Sequence, residues 1–434
     1  MRENAMSNVI EISDLSSRGN RLAIKVKAWG KVKRYIATTK LYVEYDVPVE
    51  EADISVLSIP AIANFALIAW ATGTDIYVKR IDQVFLDSLK DVKKAFMEFY
   101  PSIDWKGDIY ACEINKTVTK GSDVRKAMLL FSGGIDSLCS FIRHQREQPS
   151  LVMVHGIDIP LRNKLAWKRK VAYLKDFSHI HELQFHCVRS NLKQVLDYLR
   201  IDHAFEEKVK GSWWVRVQHA FSILSLCAPL SVVTNKRILY MAADCWERCR
   251  FPVATGPKIE RAIRWANVQV EIDGYEMSRQ ERVQFIANWI QRHAPDLRLH
   301  VCWESASSEN CSICEKCCRT ILGLELAGLD PNGYGFAVED ETFVHVRTNL
   351  ESGKWLSSPS MLAYWQDLQD HCSGAEGVPH KGAKDFVQWL QKVDLSLFAS
   401  KNSISKYHKL LKSIARYFPR SMRRFIRAFL KLKF

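Results

Sequence analysis

Between residues 125 and 243, apolar runs of strand length alternate with segments of helical period. The strand-like runs are "KAMLLF", "LVMVHGIDI", "ELQFHCV" and "RILYMAA", and the segments between them are "SLCSFIRHQ", "WKRKVAYLKDF" and "WWVRVQHAFSILSLC". This alternation predicts a parallel, doubly wound sheet covered by helices, so the expected fold class is α/β. In such sheets ligands bind just beyond the carboxyl ends of the strands.

The stretch "LLFSGGIDSLCSF" places two adjacent glycines between the first of these strands and the following helix. Gly133 and Gly134 have no Cβ, so several backbone N–H groups can point into one concavity, to which a helix N-terminus adds partial positive charge. Such a turn binds phosphate oxygens. The alternative is an ordinary Ser/Gly turn followed by an aspartate helix cap. Neither a Walker A loop nor the dinucleotide pattern G-x-G-x-x-G is present, so transfer of a γ-phosphoryl group is not expected.

The pattern S-G-G-x-D-S after an apolar strand resembles the pyrophosphate loop of the N-type ATP pyrophosphatase superfamily, the PP-loop enzymes. The resemblance implies a domain of the adenine nucleotide alpha hydrolase type, whose loop holds the pyrophosphate that leaves when ATP is split between its α and β phosphates. The nucleotide-binding residues that it implies are Ser132, Gly133, Gly134, Ile135, Asp136 and Ser137. Asp136 would lie beside a Mg²⁺ ion, and Asp136 and Ser137 would act in catalysis. His155 and Asp158, at the end of the next strand, would lie beside the adenine and ribose, with a purely structural role as the alternative.

Five of the twelve cysteines crowd into the stretch "CWESASSENCSICEKCC". Cys302, Cys311, Cys314 and Cys317 follow one another at spacings x8, x2 and x2, which suits a closed, structural Zn²⁺ site. Spacing alone favours Cys317 over the adjoining Cys318 as the fourth ligand. Free buried cysteines and an iron–sulfur cluster are the alternatives.

A pyrophosphate loop followed by C-x(7–8)-C-x2-C-x2-C is the pattern of 7-cyano-7-deazaguanine synthases, which the chain resembles over residues 126–330. The resemblance implies an AMP-forming, ligase-like enzyme that adenylates a substrate, usually at a carboxylate, for amide, nitrile or related bond formation. The segment "NCSICEKCCRTILGLELAG" is also similar to segments of proteins from cell-surface polysaccharide pathways. A domain that precedes the loop resembles the arrangement in an ATP-dependent epimerase of peptidoglycan precursors. The synthases have no counterpart of residues 1–124 or 331–434.

Adenylation needs a cation near the α-phosphate of ATP, and Lys258, Arg279 and Arg282 are the candidates. Arg279 and Arg282 are one turn apart on a helix predicted over 279–293, where both can face the site. An ordinary surface role is the alternative for each of the three.

Three regions are predicted along the 434 residues: an N-terminal α+β domain (1–124), a PP-loop domain with the four-cysteine zinc site (125–330), and a helical C-terminal region with a basic tail (331–434). The first region has two strand-like runs, "LAIKVKAWG" and "LYVEYDV", and helices around 60–72 and 82–99, but no recognisable motif. The apolar run "VLSIPAIANFALIAWATG" contains Pro60 and Asn64 and predicts a buried helix instead of a bilayer crossing.

The formal charge of +14 comes mainly from the C-terminal tail, because residues 395–434 contain eleven Lys or Arg and no acid. The body is therefore not expected to bind nucleic acid. The tail has apolar and basic residues at helical spacing, which suits peripheral contact with an anionic membrane surface or packing on the body. Residues 1–20 lack the apolar segment of a signal peptide, so the expected location is the cytoplasm, with the inner face of the membrane as a peripheral site.

Three classes of function follow from these features. The first is the AMP-forming enzyme, acting on a small-molecule or envelope-precursor substrate as a ligase, amidotransferase or epimerase. The second is a nucleotide-binding module without catalysis. The third is a nucleic-acid-modifying enzyme similar to tRNA thiolases, which would need a basic body surface or a catalytic cysteine, whereas Cys139 is predicted to lie in the core. The oligomeric state stays open, with a homodimer as one option.

Overall fold

A computed structural model of the protein describes residues 8–117, 127–248, 257–294, 297–302, 304–305, 309–373 and 377–399. These residues divide into two compact units. The described residues within 1–132, 143–244 and 252–275 form the first unit, and those within 133–142, 245–251 and 276–434 form the second. The basic tail that was expected to contact a membrane lies outside the described residues.

The first unit contains an eleven-stranded sheet in which most neighbouring pairs are parallel. Its strands are β1 (Val9–Arg18), β2 (Arg21–Trp29), β3 (Lys40–Glu44), β4 (Asp75–Asp82), β5 (Ile109–Asn115), β6 (Ala127–Leu130), β7 (Ser150–His155), β8 (Phe185–Ser190), β9 (Ile238–Ala242), β10 (Arg264–Trp265) and β11 (Val268–Asp273). Their order across the sheet is β10-β11-β9-β6-β7-β8-β3-β2-β1-β4-β5.

Helices separate most of the strands and are the main elements of the described chain after β11. They are α1 (Ile54–Leu57), α2 (Ile59–Ala71), α3 (Gln83–Phe99), α4 (Ile135–His144), α5 (Lys164–Ile180), α6 (Leu192–Val195), α7 (Tyr198–Val209), α8 (His219–Leu226), α9 (Ala228–Val233), α10 (Pro257–Glu260), α11 (Arg279–His293), α12 (Glu315–Leu326), α13 (Asp340–Glu351), α14 (Pro359–Asp370), α15 (Lys381–Leu390) and α16 (Leu395–Ala399). The predicted α/β class is therefore confirmed, while the adenine nucleotide alpha hydrolase type stays a prediction.

Five parallel strands form the centre of the sheet in the order β8-β7-β6-β9-β11. Every residue of β7 is buried, as expected for a strand covered on both faces. The chain order of the strands reverses between β6 and β9, and ligands bind beyond the carboxyl ends of strands at such a reversal. The glycine turn follows β6 directly in the chain.

The N-terminal strands extend this sheet instead of forming a separate one. β3 pairs antiparallel with β8, where Val43 lies opposite Ser190. The side chain of Asn191 reinforces this pairing, because its Oδ1 accepts a hydrogen bond from the Tyr42 N–H at 2.8 Å. The boundaries of the three predicted regions stay a prediction. The described residues within 276–330 belong to the second unit together with the C-terminal helices, and α11 and α12 both contact α14.

The apolar run that predicts a buried helix forms α2, and almost all of its residues are buried. Another stretch, Trp214–Val233, is long and apolar enough to cross a membrane by length and composition. It comprises a π-helical segment, Trp214–Gln218, followed by α8 and α9. Because 83% of its apolar window is buried inside the fold, it has the character of a core helix.

His144, the last residue of α4, bridges two carboxylates in the first unit. Its Nδ1 lies 2.8 Å from Oε1 of Glu147, and its Nε2 lies 3.0 Å from Oδ1 of Asp273. The ring also stacks on Tyr240, with 3.8 Å between ring centroids. Burial acts to lower the pKa of His144, but the hydrogen bonds to Asp273 and Glu147 outweigh it and raise that pKa above its ordinary value.

A raised histidine pKa predicts stability that depends on pH. The stabilisation by protonated His144 should be fully present below the pKa of an unfolded histidine, and it should disappear as the pH rises through the higher folded pKa. We expect urea unfolding between about pH 5.5 and 8.5 to show His144→Gln less stable than wild type at the acid end, with the difference shrinking toward the basic end. His179→Gln, at an exposed position of α5, is the control. A His144→Gln difference that stays constant with pH would contradict the charged bridge.

Candidate anion site and metal centre

The glycine turn leads from β6 into a helix, as its sequence predicts. Gly133 has a φ of 72°, in the left-handed region that favours glycine. Helix α4 begins two residues later, and the N–H of Leu138 donates to the carbonyl of Gly134 at 2.9 Å. The Ser137 hydroxyl donates to the same carbonyl at 3.1 Å, so it lies at the turn. In the first unit, Lys170 Nζ donates to the Ser132 carbonyl at 3.0 Å.

Asp136, in the first turn of α4, forms ion pairs with two arginines of the second unit. Arg279 Nη1 donates to Oδ2 at 2.6 Å, and Arg282 Nη1 donates to Oδ1 at 2.8 Å. The arginine side chains are only 7% and 1% exposed, whereas the Asp136 side chain is 22% exposed. The carboxylate is therefore the most accessible member of this triad.

Helix α11 positions both arginines through its capped first turn. The structure confirms the helix predicted over 279–293, and Ser278 and Glu281 form a capping box at its N-terminus. Arg279 and Arg282 are three residues apart and so lie on one face of the helix. Arg282 is further fixed because its Nη2 donates to the Cys245 carbonyl at 2.8 Å.

Two more cations act on Asp136, and the sequence analysis missed both. Burial acts to raise the pKa of the Asp136 carboxyl, but Arg279, Arg282 and Lys316 hold it well below its usual range. Asp136 in turn is one of the groups that raise the pKa of Arg319. Lys316 and Arg319 lie at the start of α12, and the signal that could have revealed them is the basic residues within "CEKCCR". Four cations therefore interact electrostatically with one carboxylate, and two of them, Arg279 and Arg282, bind it directly.

The Asp136 environment can accept a Mg²⁺ ion only in a shared arrangement. Both carboxylate oxygens already accept a hydrogen bond from an arginine. Each oxygen has a second lone pair, so an ion that arrives with a nucleotide can still be bound there. Mg²⁺ commonly binds through one or two carboxylates together with substrate phosphates. A place for Mg²⁺ beside Asp136 stays a prediction.

The remaining predicted site residues lie in the first unit. His155 is buried and its ring stacks on Trp167, with 4.4 Å between centroids, while burial lowers the pKa of His155. The Asp158 side chain is mostly exposed and lies 3.9 Å from His219 Nε2. Lys258 is also exposed and forms an ion pair with Glu98. Their predicted roles at the nucleotide stay predictions.

The four predicted cysteines come together in the second unit, where all four sulfurs lie within 4.8 Å of one another. The Cys302 and Cys314 sulfurs are 3.8 Å apart, and those of Cys311 and Cys317 are 3.9 Å apart. A tetrahedral Zn²⁺ ion with Zn–S bonds of ~2.3 Å requires sulfurs about 3.8 Å apart. The cluster is therefore compatible with a single zinc ion.

Backbone N–H groups donate to two of the four sulfurs. The N–H of Ser305 donates to the Cys302 sulfur at 3.3 Å, and the N–H of Cys314 donates to the Cys311 sulfur at 3.3 Å. Such hydrogen bonds stabilise and orient metal-bound thiolates. The fifth cysteine, Cys318, is buried outside the cluster and donates to the Ser312 carbonyl at 3.4 Å.

A scan of protein-family models and comparisons with curated proteins and with solved structures found no match. The resemblance to PP-loop enzymes is therefore neither supported nor opposed by a relative. The geometry around Asp136 and the cysteine cluster is the evidence from which a function can be argued.

Proposed function

We propose that the protein binds Mg·ATP at the glycine turn and transfers its adenylyl group to a substrate carboxylate, with release of pyrophosphate. The observation that supports this most is the Asp136 carboxylate held between Arg279 and Arg282 at the start of α4. It places fixed positive charge directly beside a helix N-terminus that follows a glycine turn. Both features favour a polyphosphate.

In this proposal a carboxylate oxygen of the substrate attacks the α-phosphorus of ATP. The bond from that phosphorus to the oxygen bridging the α and β phosphates breaks, and pyrophosphate leaves with the electron pair. Backbone N–H groups of the turn, with Arg279, Arg282 and Lys316, would stabilise the charge that develops on the leaving group. A bound Mg²⁺ would neutralise phosphate charge. An amine or ammonia can then displace AMP from the acyl adenylate, which needs no covalent enzyme intermediate.

The same triad supports a second candidate, a nucleotide-binding module without turnover. A carboxylate between two buried guanidinium groups can be a purely structural element, because buried ion pairs are common where no chemistry occurs. The two candidates share ATP binding and differ only in whether ATP is cleaved.

Product analysis separates these candidates. We expect the zinc-loaded protein, given Mg·ATP and a panel of carboxylic acids, to form AMP and pyrophosphate, which chromatography resolves from ADP and phosphate. Ser137→Ala should slow this reaction by about 10²-fold if its hydroxyl contacts the leaving group. Ser140→Ala, a buried serine one turn along the same helix, is the matched control and should leave the rate nearly unchanged. ADP as the product would refute the proposal, and ATP binding without cleavage would favour the module.

A further inference from the structure

Strand β5 is the last strand at one end of the eleven-stranded sheet, and in the described part of the chain it pairs with β4 alone. The N–H of Ile76 in β4 donates to the Asp108 carbonyl at 2.9 Å. Backbone polar groups of successive strand residues point to opposite edges, so the even-numbered residues of β5 also point theirs toward β4. The odd-numbered residues point theirs to the open edge, where another strand can pair.

The side chains of β5 form an apolar row on the face of the sheet that lies away from the core. Ile109 and Ala111 pack against the hydrophobic core. On the other face Tyr110 and Ile114 are 47% and 51% exposed, and Cys112 between them is exposed as well. Native sheet edges are commonly protected from pairing by lysine or proline, and β5 contains neither. This edge is therefore a template for pairing with another chain.

We infer that β5 pairs antiparallel with β5 of a second copy of the chain, about a two-fold axis at Cys112. All seven residues of β5 are paired in this register. Ala111 lies opposite Glu113 of the partner subunit, and both residues have their backbone groups at the open edge. They can therefore exchange N–H···O=C hydrogen bonds, as such a pair does in an antiparallel ladder.

The side chains are complementary in this register. Tyr110 lies opposite Ile114 of the partner subunit, and aromatic and β-branched pairs of this kind stabilise antiparallel strands. Tyr77 of β4 stacks on Tyr110 with 5.1 Å between ring centroids and so supports its ring. The two-fold axis forms the Tyr110 and Ile114 pair twice.

Charged residues beside β5 favour the same register. Asp108 precedes β5 and lies opposite Lys116 of the partner subunit, which follows β5. The Asp108 side chain is 71% exposed despite its 3.4 Å ion pair with Lys93, and Lys116 is exposed. An axis at Glu113 would instead place two copies of that carboxylate opposite each other, and like charges in that position are destabilising. An axis at Ala111 would leave Asp108 opposite an isoleucine.

The test uses the zinc-loaded full-length protein without nucleotide, in analytical ultracentrifugation. Wild type should sediment as a dimer. In the proposed register Cys112 lies opposite its own copy, at a Cα separation of about 4.5 Å that a disulfide can span. Mild oxidation with diamide should therefore yield a covalent dimer that a reductant reverses. Cys112→Ser should give no covalent dimer but should still sediment as a dimer.

Two sets of variants test the contacts. Asp108→Lys should weaken dimerisation about 10-fold, because it places two lysines opposite each other at both ends of the paired strands. Asp108→Lys/Lys116→Asp exchanges the two charges and should restore the wild-type affinity. Ile114→Lys should weaken dimerisation about 10- to 100-fold, since a lysine on an edge strand opposes pairing. Val344→Lys, at a 66% exposed position of α13, is the matched control and should leave the affinity unchanged.

A dimer that forms the Cys112 cross-link, is weakened by Ile114→Lys and is restored by the charge exchange would support this inference. A protein that sediments as a monomer up to about 100 μM would overturn it. A dimer that Ile114→Lys leaves intact, or that the charge exchange does not restore, would also overturn it. These measurements need no ATP, so their failure would not count against the proposed function.

Discussion

Asp136→Ala is expected to lower the free energy of unfolding by about 3–5 kcal/mol, because it leaves two buried arginines without their carboxylate. Arg282 has the larger share of this effect, since its side chain is almost fully buried. Denaturant unfolding followed by tryptophan fluorescence measures the change. The double variant Asp136→Ala/Arg282→Met should be more stable than the sum of the two single changes predicts, because it removes the unpaired charge together with its partner.

A surface ion pair supplies the control for this prediction. Glu351→Ala removes the partner of Arg347, but both side chains are more than 40% exposed, so the expected cost is below about 1 kcal/mol. If Asp136→Ala unfolded at the same denaturant concentration as Glu351→Ala, the triad would not be a buried electrostatic unit. Additive effects of Asp136→Ala and Arg282→Met would contradict direct coupling between the two residues.

Loss of the metal is expected to have the second large effect. It should lower both the stability of the protein and its affinity for Mg·ATP. The purified protein should contain one zinc ion per chain, and Cys311→Ser should lose it. Helix α12 begins directly after Cys314 and includes Lys316 and Arg319. Without the metal, the cysteine cluster no longer holds the start of this helix in place. The melting temperature of the protein and its affinity for Mg·ATP should therefore both fall.

Cys318→Ser is the matched control, because the Cys318 thiol is buried outside the four-sulfur cluster. We expect it to keep the zinc content of wild type in elemental analysis by mass spectrometry. Equal metal loss in Cys311→Ser and Cys318→Ser would show that the assigned ligand set is wrong. Several iron atoms per chain, with inorganic sulfide, would instead identify an iron–sulfur cluster.

Local sequence patterns predicted those helices and strands whose capping residues and hydrophobic pattern lie within one segment of the chain. The structure contains the helix that was predicted over 279–293. The residues that form its cap and its apolar face are close together in the sequence, so a local pattern reveals them. The buried helix α2 and the parallel strand β7 are confirmed for the same reason. Cys139 is buried, as predicted for a core residue of α4.

Features that depend on distant residues could not be predicted. The strands β1, β4 and β5 were not predicted from the sequence. The pairing of β3 with β8 joins residues about 145 positions apart. Arg319 of α12 likewise lies over the ring of Tyr364 from α14, 4.0 Å from its centre. The hydrophobic periodicity of one segment does not identify the strand or helix with which it packs, because many pairings satisfy the same pattern. The cysteines were the exception, because metal-ligand spacing constrains three-dimensional proximity directly.

Direct binding of Mg·ATP tests the central claim, that the glycine turn and the Asp136 triad form a polyphosphate site. Isothermal titration of the zinc-loaded, full-length protein should show one molecule of Mg·ATP bound per chain. Inorganic pyrophosphate should compete for that site, and AMP should bind more weakly because it lacks the two outer phosphates. No binding of Mg·ATP, or binding that pyrophosphate leaves unchanged, would contradict the account.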